Sequence, residues 1–271
     1  MTVPGIAMIG GGQMALALAS GFVRSGLVVP QKIVVFDPSE SARIRLAGAV
    51  PGIAFADSAG AATERAGIVF LCVKPQQVAE ASAAVQGRMP ESAVVVSIVA
   101  GLPIAALADL AGSRRIVRVM PNTPCLVGQG VSVVCKTPAV DPAQAATVRS
   151  LLEAVGTVHE LDESLMNAVT GVSGSGPGFI ARFVEALTAG GVAAGLPADL
   201  AARLARETFC GTAALLAQTG EPPEEIRKRV TSPGGTTLAG LTTMDTRGVP
   251  EGIAAAVVAA SNRAAELSRG G

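Results

Sequence analysis

The sequence has no tryptophan, no tyrosine, a single histidine and no net charge. With 21 Lys and Arg against 21 Asp and Glu, it has no excess of basic residues to attract nucleic acid or an anionic membrane surface. An extended apolar run such as residues 93–101 is far shorter than the roughly 20 residues that a membrane-spanning helix needs. Residues 1–9 lack the basic segment that opens a signal peptide, so we expect a cytoplasmic protein without nucleic-acid or membrane partners.

Metal-binding and acid–base residues are equally scarce. The four cysteines, Cys72, Cys125, Cys135 and Cys210, are scattered and form no C-x-x-C pair. We therefore predict small buried apolar side chains rather than disulfides, metal ligands or nucleophiles, and no metal site. The one histidine, His159, lies in a strand-like run near the predicted domain junction, where we expect a junction or surface residue.

Residues 1–161 alternate short apolar runs, rich in β-branched residues, with Ala-rich stretches of helical character. Near-continuous apolar strands that alternate with helices predict a parallel sheet covered on both faces, and so a Rossmann-like, doubly wound α/β domain that binds a dinucleotide. The predicted strands are residues 5–9, 32–36, 68–73, 94–99, 116–120, 131–135 and 157–161, with helices at 13–25 and 142–154.

From residue 162 to residue 271 the strand-like runs disappear and Ala- and Leu-rich helices dominate, which predicts an all-α second domain. Because 49% of the chain is hydrophobic and only 15% is charged, we expect apolar helix faces to be buried against another subunit, in a homodimer or a multiple of it. The predicted helices are residues 177–195, 198–218, 224–230, 238–246 and 250–269.

A dinucleotide-binding fingerprint, Gly10-x-Gly12-x-x-Ala15, lies between the first predicted strand and helix. Gly10 permits the tight turn, Gly12 leaves room for a pyrophosphate, and Ala15 lets the helix pack on the strand. The helix N-terminus would supply amide donors and a partial positive charge to the phosphates. Asp37, at the end of the second strand, lies 22 residues after Ala15, the position of the acidic residue that binds the adenosine ribose.

The cofactor can be NADH or NADPH on this evidence. Asp37 would accept the ribose hydroxyls of NADH, whereas Ser39, Ser41, Arg43 and Arg45 could receive the 2′-phosphate of NADPH. The alternative for this segment is a plain turn or helix cap.

A second motif, S-P-G-G-T-T at residues 232–237, is rich in backbone amides and hydroxyls and has no charged side chain. Successive N–H groups in a Gly-rich turn form a nest for a small anion such as a carboxylate, to which Ser and Thr hydroxyls add donors. The alternative is an ordinary turn with a helix cap.

With these blocks the chain resembles the pyrroline-5-carboxylate reductase family over its whole length. The matching blocks are G-G-G-Q-M-A (10–15), V-K-P-Q (73–76), S-I-V-A-G (97–101), R-V-M-P-N-T-P (118–124), V-S-G-S-G-P (172–177) and V-T-S-P-G-G-T-T (230–237). The departures are Gln13 where Asn is common, Gly178-Phe179 where Ala and Tyr are usual, and Asp37 where NADP-preferring members often carry Ser, Asn or Arg.

The resemblance implies reduction of the cyclic imine of 1-pyrroline-5-carboxylate to L-proline by NADPH or NADH, in an interlocked homodimer. It implies that the turn at 232–237 holds the substrate carboxylate and that Thr237, the catalytic candidate, reaches the ring nitrogen. The substrate-binding candidates are Ser175, Ser232, Gly234, Gly235, Thr236 and Thr237. The cofactor-binding candidates are Gly10, Gly12, Gln13, Met14, Asp37, Val73, Lys74, Pro75, Ala100, Gly101 and Asn122.

Two of these candidates, Ser175 and Lys74, have open alternatives. The glycines beside Ser175 could allow close approach of the nicotinamide or the substrate, or could simply cap a helix. Lys74 could be a general acid, or it could order its loop or contact the cofactor. Asn122 follows a strand at the edge where ligands gather in doubly wound sheets, which makes it a candidate neighbour of the nicotinamide amide.

Imine reduction fits a chain with so few acid–base residues. The substrate can bind as the iminium, already an electrophile, so the protein has to bind, orient and exclude water. A 3-hydroxyacid reductase would typically place a lysine on the long interdomain helix, but residues 177–195 carry Arg182 and Glu185 and no lysine. The other alternative is a protein that binds dinucleotide without turnover.

Overall fold

The computed structural model describes residues 3–269, which form two compact units. The first comprises the chain as far as Ser175 together with the residues from Ala259 onward, and the second is Gly176–Val258. The first unit contains eight strands: β1 (Ile6–Ile9), β2 (Ile33–Phe36), β3 (Ala54–Phe55), β4 (Ile68–Leu71), β5 (Val94–Ser97), β6 (Ile116–Met120), β7 (Gly130–Lys136) and β8 (Gly156–Glu160).

The strands form one sheet in the order β3-β2-β1-β4-β5-β6-β7-β8. Every neighbouring pair is parallel except β6 and β7, which are antiparallel, so the predicted parallel sheet contains one reversed pair of strands. The strand order changes direction at β1, which pairs with β2 on one side and β4 on the other. In a doubly wound sheet such a switch point opens a ligand crevice at the carboxyl ends of the strands.

The reversal of β7 has a simple cause. Only residues 121–129 join β6 to β7, and a parallel crossover needs about a dozen residues or more. Thr123–Val127 form a 3₁₀-helix in this connection, and Gly128 ends it in the left-handed conformation (φ 72°).

Helices cover both faces of the sheet, as predicted. Strand β1 is buried along its whole length, and its residues alternate between two apolar clusters. Ile6 and Met8 pack in one cluster with Phe22 of the first helix, and Ala7 and Ile9 pack in the other. The helices are α1 (Gln13–Arg24), α2 (Glu40–Ala49), α3 (Ala59–Thr63), α4 (Val78–Val85), α5 (Ile104–Ala111), α6 (Pro142–Glu153) and α7 (Met166–Val169).

The second unit is entirely helical in the residues described. Its helices are α8 (Gly176–Ala193), α9 (Ala198–Thr219), α10 (Pro223–Arg229), α11 (Thr236–Thr246) and the first part of α12 (Val249–Arg269). Helices α8 and α9 pack together where Gly191 faces Ala201, and a side chain at residue 191 would crowd the Ala201 methyl group at 3.1 Å. Within residues 3–269, no helix is both long and apolar enough to cross a membrane.

Large apolar side chains of this second unit are exposed in the isolated chain. No residue of α8 is fully buried, and Leu187 keeps 43% of its surface accessible. The exposed set in this unit includes Ile180, Phe183, Val192, Leu204, Leu215, Leu238, Ile253 and Val258.

Candidate active site

A cleft of about 370 Å³ lies at the carboxyl ends of β1, β2 and β4. Its lining includes five of the predicted cofactor residues: Gly10, Gly12, Asp37, Val73 and Lys74. The strands bring these residues together because each follows the end of a parallel strand at the switch point of the sheet.

The two fingerprint glycines have different reasons to be glycine. Gly10 has φ 100°, and a Cβ there would lie 2.8 Å from the Cys72 carbonyl, so the tight turn excludes any side chain. Gly12 has φ −69°, and no atom lies within 4 Å of the position of its missing Cβ. Gly12 therefore leaves open space in the cleft, which fits a pyrophosphate.

The N-terminus of α1 also fits an anionic ligand. The helix begins at Gln13, and Gly12 provides no side-chain cap for its first amides. Such uncapped N–H groups, together with the helix dipole, favour a phosphate. Gln13 is exposed, Met14 is half-buried against the apolar cluster beneath, and Ala15 is fully buried as the fingerprint requires.

The Asp37 carboxylate is fixed beside the glycine turn. Its Oδ2 accepts the N–H of Gly11 at 2.6 Å, and its Oδ1 accepts the N–H of Ser39 at 2.7 Å. Arg43 Nη1 donates to the Asp37 carbonyl at 2.7 Å, which brings the guanidinium close to the same turn. The lining of the cleft therefore includes one oriented carboxylate, and one cation lies close to the same turn.

Cys72 also lines this cleft. Burial raises the pKa of the Cys72 thiol to about 12, so the thiol stays protonated at neutral pH. Cys125 and Cys135 are buried as predicted, and Cys210 on α9 is exposed in the isolated chain.

His159 is exposed on β8, as expected. Across the described residues there is no cluster of three His, Cys, Asp or Glu side chains that could hold a metal ion.

A second cleft, of about 710 Å³, contains Pro75, Ala100 and Gly101. Part of its wall is the last stretch of α12, including Leu267. Gly101 has φ 76°, and a Cβ at this position would lie 3.0 Å from the Leu267 Cβ. The loop after β5 therefore depends on glycine both for its backbone conformation and for its close contact with α12.

Asn122 and Ser175 lie in neither cleft lining. Asn122 is buried after β6, and its side-chain amide bonds to Val131 and Ser173. Ser175 follows a π-helix, Thr170–Gly174, and its N–H donates to the Thr170 carbonyl at 2.8 Å. The glycine-rich segment ahead of α8, for which a helix cap was one of two interpretations, instead forms part of a nearly continuous helical segment.

The structure adds an ion pair that the motifs did not reveal. Arg118, buried on β6, donates from Nη1 to Glu163 Oε1 at 2.8 Å, and the same oxygen accepts the N–H of Ile104 at 2.7 Å. Ile104 is the first residue of α5, so Glu163 binds the start of the helix that follows the Ala100-Gly101 loop. The sequence did contain one indication of this pair, because Arg118 is a charged residue within the apolar run at 116–120 and a buried charge needs a partner.

The turn at Ser232–Thr237 lies in the second unit. The Gly235 N–H donates to the Ser232 carbonyl at 3.0 Å, with Pro233 and Gly234 (φ 70°) at the centre, an arrangement typical of a type II turn. Helix α11 begins at Thr236 without a side-chain cap, and the Thr237 side chain is half-buried. The turn thus offers uncapped amides and hydroxyls, and the substrate role of its residues stays a prediction.

Comparisons with known proteins cover both halves of the chain. A family model for pyrroline-5-carboxylate reductase dimerisation matches residues 163–267, and one described as NADP oxidoreductase, coenzyme F420-dependent, matches residues 5–101. A solved structure of Plasmodium falciparum pyrroline carboxylate reductase with NADP bound superposes with a TM-score of 0.89, at 28% identity over 99% of both chains. The corresponding enzyme of Coxiella burnetii gives a TM-score of 0.88, at 30% identity over 98% of this chain and 99% of that one.

Curated relatives match along nearly their full length. The chain is 39% identical to the pyrroline-5-carboxylate reductase of Synechocystis sp., over 97% of this chain and 98% of that protein. It is 40% identical to the enzyme of Corynebacterium melassecola, with the same two coverages. By sequence identity, by coverage and by fold, the chain belongs to the pyrroline-5-carboxylate reductase family.

Proposed function

We propose that the protein reduces 1-pyrroline-5-carboxylate to L-proline with hydride from NADH or NADPH, the last step of proline biosynthesis. The observation that carries the proposal is that this chain, a member of the family, has both an open cleft at Gly12 and the uncapped, hydroxyl-bearing turn at Ser232–Thr237. The first suits a pyrophosphate and the second a small carboxylate.

The nicotinamide, when bound, supplies the hydride. Gly10, Gly12 and the first amides of α1 would hold the pyrophosphate, and Asp37 would bind the adenosine ribose. Gln13, Met14, Val73, Lys74, Pro75, Ala100 and Gly101 complete the proposed cofactor set.

On the substrate side, the amides and hydroxyls of the turn hold the carboxylate, and the Thr237 hydroxyl orients the ring nitrogen. Because the substrate binds as the iminium, addition of hydride to the ring carbon moves the C=N electron pair onto nitrogen and leaves a neutral secondary amine. The protein then needs no strong base, and its main contributions are orientation and exclusion of water.

Cofactor preference depends on two opposed features of one turn. The Asp37 carboxylate would repel a 2′-phosphate, whereas Arg43, held by the Asp37 carbonyl, would attract one. The assay should therefore compare NADH with NADPH.

The proposal includes a cytoplasmic homodimer, or a multiple of it, with a domain division after residue 161. The match of residues 163–267 to a dimerisation model and the exposed apolar helix faces support this assembly.

The test is to supply 1-pyrroline-5-carboxylate and follow the absorbance of NADH or NADPH. We expect both oxidation of the cofactor and formation of proline, quantified by mass spectrometry. A folded protein that binds either cofactor and oxidises neither with this imine would instead be a dinucleotide-binding protein without this activity.

A further inference from the structure

The Asn122 side chain uses its polar atoms within the protein. Its Oδ1 accepts the N–H of Val131 at 2.8 Å, and its Nδ2 donates to both the carbonyl and the Oγ of Ser173, at 3.3 Å each. A backbone N–H can only donate, so the Asn122 oxygen must face Val131 and the orientation of the amide is fixed. At 8% exposure, this amide has its bonding groups committed to β7 and Ser173 rather than to a ligand.

The segment that Asn122 holds has an uncommon backbone. Ser173 lies in the π-helix Thr170–Gly174, a wider turn that is rare and occurs frequently at functional sites. Gly174 in this turn faces Met120, and a Cβ at Gly174 would overlap the end of the Met120 side chain. Met120, the last residue of β6, and Asn122, which follows the strand, therefore both contact the π-helix.

We propose that Asn122 is a positioning residue for imine reduction. It holds Ser173, and through the π-helix it sets the place of Ser175, which the sequence predicts to contact the substrate. This inference rests on the proposed function. Under this inference, a change at Asn122 alters kcat/KM for the imine and leaves the Kd of the dinucleotide unchanged. A residue that contacts the nicotinamide would instead alter the Kd of the dinucleotide.

The first test is Asn122→Asp, which keeps the acceptor for Val131 and replaces the donating amide by an oxygen that faces the Ser173 carbonyl. We expect kcat/KM for 1-pyrroline-5-carboxylate to fall on the order of 10-fold or more, because small displacements of a positioned group are costly in rate. The Kd of NADH or NADPH, measured by fluorescence, should stay at the wild-type value. Asn167→Asp, which puts the same charge on α7, is the matched control and should leave both quantities unchanged.

A buried charge could unfold the protein, so a second variant approaches the turn from the other side. Gly174→Ala places a methyl group against Met120 without adding charge, and its backbone φ is not in the left-handed region. We expect a smaller loss of kcat/KM, again at constant cofactor Kd. Thermal unfolding followed by circular dichroism shows whether each variant is folded.

Three outcomes of these kinetic, binding and unfolding measurements would overturn the inference. One is wild-type kcat/KM in both folded variants. Another is a lowered unfolding temperature with unchanged kcat/KM, which would mean a purely structural role. The third is a rise in cofactor Kd as large as the loss in kcat/KM, which would mean a nicotinamide contact.

A readout independent of turnover separates this inference from the proposed function. The Ser175 amide, bonded to the Thr170 carbonyl, should exchange its hydrogen faster in Asn122→Asp than in the wild type, by on the order of 10-fold. An inactive wild-type protein would contradict the proposed function, whereas an unchanged exchange rate would contradict the positioning role.

Discussion

Arg118 Nη1 lies 2.8 Å from Glu163 Oε1, and this one carboxylate oxygen joins a buried strand to the first amide of α5. Arg118 keeps only 7% of its side-chain surface exposed, whereas Glu163 keeps 36%. The ion pair is thus asymmetric, because the Arg118 cation is buried whereas the Glu163 carboxylate that compensates its charge is partly exposed to solvent.

Glu163→Gln should destabilise the protein because it leaves the buried Arg118 charge unpaired. A fully buried broken pair costs about 3–5 kcal/mol, and partial exposure of Glu163 reduces our expectation to about 1–3 kcal/mol. Urea unfolding measures the loss. Glu185→Gln breaks the exposed pair with Arg182 and serves as the control, with an expected effect below about 1 kcal/mol. Equal losses in the two variants would contradict this interpretation.

Gly12→Val should abolish dinucleotide binding in a folded protein. No atom lies within 4 Å of the missing Cβ, so the added side chain extends into the open cleft and occupies the place of the pyrophosphate. Gly48→Val is the matched control, since an added Cβ at Gly48 on α2 also meets no atom within 4 Å. Fluorescence titration with NADH and NADPH measures both. Wild-type affinity in Gly12→Val would mean that the fingerprint is misassigned.

Thr237→Val should lower the rate of imine reduction by on the order of 10²-fold and leave cofactor affinity unchanged, because it removes a hydroxyl placed to orient the ring nitrogen. Thr242→Val makes the same change on the same helix, where the hydroxyl only bonds to the Leu238 carbonyl. Steady-state kinetics with both variants provides the comparison. Unchanged turnover in Thr237→Val would exclude Thr237 from the site.

The protein should elute as a dimer or a multiple of it, and activity per chain should fall on dilution if the dimer dissociates. Light scattering with chromatography measures the mass. Leu187→Glu puts a charge on the apolar surface of α8 and should shift the mass towards the monomer. Leu27→Glu, a similarly exposed leucine in the first unit, should not. A fully active monomer at assay concentration would contradict an obligate dimer.

Stability should fall as pH rises from 9 towards 11. Burial, followed by the charge of Glu163, raises the pKa of Cys135 from 9.0 to about 11, so the unfolded chain releases this thiol proton before the folded chain does. The raised pKa therefore stabilises the fold below pH 9, and this contribution disappears as the pH reaches the folded value. We expect Cys135→Ala to reduce the loss by about 1–2 kcal/mol in urea unfolding at the two pH values. The chain has no tyrosine to titrate in this range, and the comparison cancels the lysines.

Sequence patterns predicted the buried parallel strands best. Strand β6 has its predicted bounds, Ile116–Met120, and β4 and β5 begin where predicted but end two residues early. Continuous β-branched runs bounded by helical segments define such strands. At their carboxyl ends the chain turns towards the cleft, so strand pairing ends before the apolar run does. The two-residue strand β3 has too few residues to show a pattern.

Other features depend on contacts that a linear pattern does not contain. The π-helix at Thr170–Gly174 has the same residue types as a glycine-rich cap, and its contacts with Met120 and Asn122 join residues about 50 positions apart in sequence. The motif around Asn122 indicated a position near ligands, but hydrogen bonds formed across 51 residues of sequence engage its amide. Antiparallel β7 could have been predicted, because its nine-residue connection to β6 is too short for a crossover.

Helix α12 has a consequence for the order in which the protein folds. The helix begins in the second unit and ends in the first, where Leu267 covers Gly101. All eight strands have been synthesised by Glu160, yet the residue that packs on the loop after β5 is made only after the whole helical unit. The Gly101 loop therefore stays uncovered until the end of α12 has been synthesised, although domains commonly fold in order from the N-terminus. A ribosome-stalled chain ending at residue 175 should accordingly leave this loop more open to protease than the complete protein does.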